Sequence, residues 1–214
     1  MRFSTLIAGL MISCASGGLA SAADMTGNTG GSLPWSGYYI GAFGGYHAGD
    51  ITNSDCAGIC PTDPEFNTWG VGIQAGYDHE FANRLVLGGY AKIPLAASKD
   101  SFTLPIFGAY TYKTEFSGFI GARLGYDMSN GLLPYVAGGY NFARITAENG
   151  AFSQTNTHHG YHLSVGAEYM MTDNISADFR YTHSRFGKET YNPGVASTWG
   201  EKANAFAIGI NYRF

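Results

Sequence analysis

Four histidines carry the sharpest chemical possibility in this chain: His158, His159 and His162 sit close together, and His183 follows. Neutral imidazole nitrogen ligates haem iron and transition metals, so the group is a candidate haemin or metal site. Tyr161 and Phe186 would cover the edge of such a flat ligand. Cys56-Ala57-Gly58-Ile59-Cys60 is the second candidate. A C-x3-C pair in an oxidising compartment reads first as a disulfide and only then as free thiols or a metal site. Ser164 beside His162 is the nearest approach to a nucleophile and a base. No H-E-x-x-H, G-x-S-x-G or phosphate-cradling loop occurs in the sequence, so the chain is expected not to be an enzyme and to need no resident cofactor.

What positions these groups is written in the tail. From Asn204 to Phe214, the residues Phe206, Ile208, Ile210, Tyr212 and Phe214 share one face of a strand, and Ala205, Ala207, Gly209, Asn211 and Arg213 share the other. An apolar face ending in aromatics, backed by small and polar residues, fits a strand with lipid outside and a polar lumen inside. The face code predicts that Ile208→Arg is disruptive and Asn211→Ala mild.

The same code recurs in seven further segments. The first strand runs from about Trp35 to Tyr46, the second from Thr68 to His79 and the third from Arg84 to Ala97, where Pro94 weakens it. The fourth covers Tyr110 to Met128 and ends on the hairpin signal Ser129-Asn130-Gly131. In the fifth, Leu133 to Thr146, Tyr135 and Ala137 hold one phase while Tyr140 and Phe142 hold the other. A bulge at Gly138-Gly139 would reconcile them, and sequence leaves the phase open. The sixth is centred on Tyr161 to Tyr169 and the seventh on Ile175 to Tyr181.

The links after strands two, four and six are short, and those after one, three, five and seven are longer and polar. That alternation, with an even strand count, is the pattern of membrane barrels with periplasmic turns and extracellular loops. The expected fold is therefore an all-β, eight-stranded antiparallel up-and-down transmembrane barrel, with both termini periplasmic. His158 and His159 then fall on a mobile loop above His162 and His183.

Inside so narrow a cylinder, side chains fill the space. Lys92, Arg123, Arg180 and Arg213 are expected to balance Glu115, Asp127, Glu168 and Asp178 in a plug of ion pairs. Such a plug disfavours an open small-solute porin. Trp35, Tyr77, Tyr126, Tyr169 and Tyr212 are expected to form an aromatic girdle at the periplasmic interface.

Residues 1–22 combine a short basic start, an apolar stretch from Leu6 to Ile12 and an Ala20-Ser21-Ala22 cleavage site, the marks of a signal peptide. Met11-Ile12-Ser13-Cys14 offers a lipoprotein box as the alternative. Residues 23–34 read as a short leader and 35–214 as the barrel. Charged residues are only 13% and the formal net charge is −4, which argues against a basic nucleic-acid-binding surface.

Trp35-Ser36-Gly37-Tyr38-Tyr39-Ile40-Gly41, Gly72-Ile73-Gln74-Ala75-Gly76-Tyr77 and Leu133-Pro134-Tyr135-Val136-Ala137-Gly138-Gly139-Tyr140, with terminal Phe214, resemble one family. It is that of the small outer-membrane β-barrel surface proteins of alphaproteobacteria. The resemblance implies an integral envelope protein or surface antigen of the Gram-negative outer membrane, some members of which bind haemin. It also implies that Tyr212 and Phe214 belong to the signal read by the barrel-assembly machinery. Outer-membrane lipid and lipopolysaccharide are the remaining expected partners.

Overall fold

The computed structural model describes residues 35–54, 65–95, 99–104, 108–149, 152–191 and 197–214. The expected signal and leader and the Cys56–Cys60 pair lie outside the described residues.

Nine strands follow in chain order: β1 (Gly37–Ser54), β2 (Glu65–Glu80), β3 (Leu85–Pro94), β4 (Lys99–Leu104), β5 (Gly108–Tyr126), β6 (Leu132–Asn149), β7 (Phe152–Met170), β8 (Ile175–Tyr191) and β9 (Ser197–Arg213). They form one sheet in the order β3-β2-β1-β9-β8-β7-β6-β5-β4, closed by β3 pairing with β5. All pairings are antiparallel. Eight strands make the closed cylinder; β4 adds a short hairpin that pairs with β5 alone among the described residues.

Alternation along each strand decides which side chains meet lipid. On β9, Phe206, Ile208, Ile210 and Tyr212 point out, as does Phe214 just after it, while Asn211 and Arg213 are buried inside. Ile40, Val71, Ile73, Leu87, Ile120, Leu124, Val136, Leu163, Val165 and Phe179 continue the outward band around the wall. In water, this much exposed apolar surface would be a liability; in a bilayer it is the solvent-matched face.

The two ends differ. At one, the turn end, the chain reverses through residues 81–84, 127–131 and 171–174. Gly131 takes φ 83° there, and Ser129 also turns left-handed at φ 60°. At the other, the hairpin end, the strands run on past the apolar band. The β6–β7 ladder continues to Asn149↔Phe152, leaving only residues 150 and 151 between the strands, and β8–β9 continues to Tyr191↔Ser197. The long third and fourth links expected from sequence are therefore mostly paired strand.

The fifth barrel strand, β6, keeps one phase throughout, and Gly138-Gly139 carries no bulge. Tyr135 and Ala137 face the lumen; Val136 and Tyr140 face out. The bulges lie elsewhere, between Thr114 and Phe116 on β5 and between Phe186 and Glu189 on β8. The first turns Glu115 onto the wall, where it pairs with the exposed Arg144 at 3.1 Å. Glu115 is thus not a lumen acid as expected, and Asp78 takes that place. Trp35 also departs from the expected girdle. It is wholly buried, donating Nε1–H to Asp127 at 3.2 Å and closing the turn-end mouth, while Tyr77, Tyr126, Tyr169 and Tyr212 ring the outside.

Candidate functional site

The lumen is built in layers from the inward side chains. The lowest holds Arg123 and Arg213 between Asp78 and Glu168. Arg123 meets Asp78 through Nε at 2.8 Å and Nη2 at 2.5 Å, and reaches Glu168 through Nη1 at 2.6 Å. Arg213 bridges the same two acids at 2.5 and 3.0 Å and donates to the Trp35 carbonyl at 2.7 Å. The Tyr39 ring lies about 5 Å from both guanidinium carbons. Ser176 and Asn211 donate to Glu168 at 2.5 and 2.9 Å, and Gln74 donates to Asn211 at 2.6 Å. Two cations and two anions, each with several partners, satisfy the condition under which buried charge is tolerated.

Glycines make room for this layer. A Cβ at Gly88 would stand 2.0 Å from Asp78 Oδ1, and one at Gly76 would stand 2.5 Å from the Tyr39 hydroxyl. Asn211 is wholly buried within the same network. Asn211→Ala would remove a donor from Glu168 and strand the Gln74 amide, so the substitution is not the mild change its lumen position suggested. The expected loss is about 1–3 kcal/mol, read from urea unfolding of the refolded barrel.

A second layer follows. Tyr135 donates to Asp178 at 2.5 Å, and Arg180 donates to the Tyr135 oxygen at 2.7 Å and to Asp178 at 2.9 Å. Tyr90 pairs with His162 Nε2 at 2.7 Å. Lys92 stands over the Phe43 ring at 4.2 Å. Above these groups lies a cavity of about 300 Å³, floored by Tyr90, Lys92, His162 and Arg180 and walled by Phe43, Phe119 and Phe186. Buried Arg180 Nη1 and His162 Nδ1 have no hydrogen-bond partner among the described residues.

The four histidines do not converge. His158 and His162 point inward and are fully or almost fully buried. His159 faces outward against Tyr140, with its Nδ1 on the Tyr140 hydroxyl, and His183 faces outward with Nδ1 on Asn204 at 3.0 Å. His158 and His159 belong to strand β7, not to a loop closing over a ligand, because the β6–β7 ladder includes both. The edge partners also separate, Phe186 lying inside and Tyr161 outside. Ser164 bonds Thr182 at 2.9 Å rather than His162, so no serine–histidine pair forms.

His158 instead belongs to a plug at the hairpin end. Its Nδ1 meets the Gly187 carbonyl at 3.1 Å and its Nε2 the Tyr191 hydroxyl at 2.9 Å, with Trp199 packed alongside. A carbonyl only accepts, so the proton sits on Nδ1. On β7, the outward apolar run spans Tyr161 to Tyr169, and His158 lies beyond it. Burial there holds the imidazole below its usual pKa and favours the neutral form. The bulge at Phe186–Glu189 turns Tyr191 inward to complete this cluster.

The outer membrane protein beta-barrel domain model matches residues 10–214. The chain belongs to that family. Among curated relatives, the 25 kDa outer-membrane immunogenic protein of Brucella melitensis is 29% identical over 185 residues, covering 84% of this chain and 79% of the relative. The barrel has the fold of OprG from Pseudomonas aeruginosa, with a TM-score of 0.59 at 16% identity over 84% of this chain and 96% of OprG. It also has the fold of Neisserial surface protein A, with a TM-score of 0.55 at 18% identity over 84% and 98%. This is an integral outer-membrane barrel of the Gram-negative envelope.

Proposed function

We propose that this family member is a non-enzymatic surface scaffold whose sealed barrel anchors rigid hairpins outside the cell, where they meet lipopolysaccharide and external partners. The observation that carries the reading is the continuous ionic layer of Arg123, Arg213, Asp78 and Glu168 across the lumen. A lumen filled this way serves an anchor better than a pore. In this reading the hairpin end is extracellular and both termini are periplasmic. Short turns at the termini's end support that orientation, as does the naming of the Brucella relative for its immunogenicity.

Lipopolysaccharide fits the outer wall. Arg185 and Lys202 are register partners, next to Tyr161 and beyond Tyr181 and Phe206 at the hairpin edge of the apolar band, with Asp50 opposite Lys202 on its other side. Like charges placed opposite one another in a ladder gain from an anion laid between them, and phosphates at the lipid headgroup level supply it.

Two readouts test the proposal. Epitope tags between residues 150 and 151 should be labelled on intact cells, whereas a tag at Asn130 should not. Refolded protein in planar bilayers should show no stable conductance. Labelling at Asn130 alone would invert the orientation, and large steady channels from the monomer would overturn the anchor reading in favour of a porin.

A further inference from the structure

The lumen acids and bases are not matched layer by layer. Below the cavity, Arg123 and Arg213 face Asp78, Glu168 and Asp127. At the cavity floor, Lys92 and Arg180 face only Asp178 among the described residues, and its oxygens are taken by Tyr135 and Arg180. The remaining carboxylate on the lining, Glu201, pairs with His47 at 3.7 Å on the hairpin side. Along β9 it lies well beyond Ala207, the register partner of Arg180. At the floor two basic side chains therefore meet one carboxylate that is already engaged.

Donors accompany that charge. Arg180 is 5% exposed and His162 2%, and each keeps a buried nitrogen without a partner among the described residues. Tyr90 donating to Nε2 would place the His162 proton on Nδ1, making it a third donor beside the Lys92 ammonium and the Arg180 Nη1. Buried donors with no acceptor are costly, and one anion answers all three. The walls above carry Phe43, Phe119 and Phe186 beside the hydroxyls of Ser117, Thr182 and Ser184, so the ligand's other end is mainly apolar. Apolar walls with a few convergent polar groups are the general form of a small-molecule site.

We infer that the lumen cavity binds an amphipathic monocarboxylate, with its head on Lys92, Arg180 and His162 and its tail among Phe43, Phe119 and Phe186. A soluble acid and a lipid-derived acid present the same head, so both are probed. Refolded barrel in lipid nanodiscs is titrated by calorimetry with octanoate from the aqueous phase and, separately, with oleate preloaded in the bilayer followed by ligand extraction. Saturable one-to-one uptake is expected for at least one acid, and the arm that binds names the source. Octylammonium should not saturate. Lys92→Met should weaken uptake at least tenfold, while Lys92→Arg should retain it, with heat-modifiable gel mobility reporting an intact barrel in each variant. Absence of saturable uptake in both arms, or equal uptake by folded Lys92→Met, would overturn the inference.

Discussion

Arg123→Met is expected to destabilise the barrel by about 3–5 kcal/mol, the cost of breaking a buried ionic group by removing one partner. Arg123 lies almost wholly out of solvent and holds three of the hydrogen bonds that neutralise Asp78 and Glu168, both of which are completely buried. Without it, two carboxylates share Arg213 alone, and the methionine sulfur supplies no compensating donor. Arg123→Lys should fall between the two, since an ammonium lacks the planar fork that grips Asp78 while reaching Glu168. The measurement is urea unfolding of refolded protein followed by tryptophan fluorescence, because Trp35 sits on Arg213 and Asp127 at the same mouth. Adding Glu168→Gln to Arg123→Met should recover part of the loss by deleting the stranded charge. A single-variant loss below about 1 kcal/mol would mean that water entering the lumen solvates the acids, and that this layer does not seal the barrel.

That layer was legible in sequence only as composition. Alternation identified Arg123, Glu168, Asp178, Arg180 and Arg213 as inward residues, because a strand's period fixes the face. It could not pair them, since Arg123 and Glu168 meet across the lumen from β5 and β7. Asp78 shares the inward face of β2 with Gln74, yet its partners come from two distant strands, β5 and β9. Glu115 was misplaced for a definite reason. One bulge residue reverses the phase of everything beyond it, and no glycine or turn signal marks Thr114–Phe116.

The protruding ladders were hidden for a different reason. Lipid demands apolar outward residues only within the bilayer, so above it the code changes while the hydrogen bonding does not. On β6, Arg144 and Glu148 face out while Ala143, Ile145 and Ala147 pack inside with Tyr191 and Trp199. A reader looking for apolar-out alternation stops at the membrane edge and takes the rest for loop. The histidines were misjudged in consequence. Period two sends His158 and His162 inward and His159 outward once the segment is strand. The cavity floor was not seen, because Lys92, His162 and Arg180 come from three strands with no spacing in common.

Charge on the opposite face of the same strand should obey depth rather than partners. Ile210 lies halfway along β9 between Phe206 and Phe214, the outward aromatics near the two edges of the apolar band. Its register partners Ala42 and Ala177 are small, so no neighbour shields it from lipid. Ile210→Arg should therefore cost about 2–4 kcal/mol, the penalty of a cation near the bilayer midplane. Ile208→Arg should cost less, because it sits nearer the hairpin edge, where the guanidinium can snorkel toward the headgroups. Phe206→Arg should cost least of the three. Ile210→Ala serves as the control, since it removes apolar area without adding charge. Folding of all four variants into lipid vesicles, measured by urea titration, should yield this order. Equal stability of Ile210→Arg and Ile210→Ala would mean that β9 does not face the bilayer core. The outward band would then need another cover, and the membrane-facing assignment of the whole wall would fall with it.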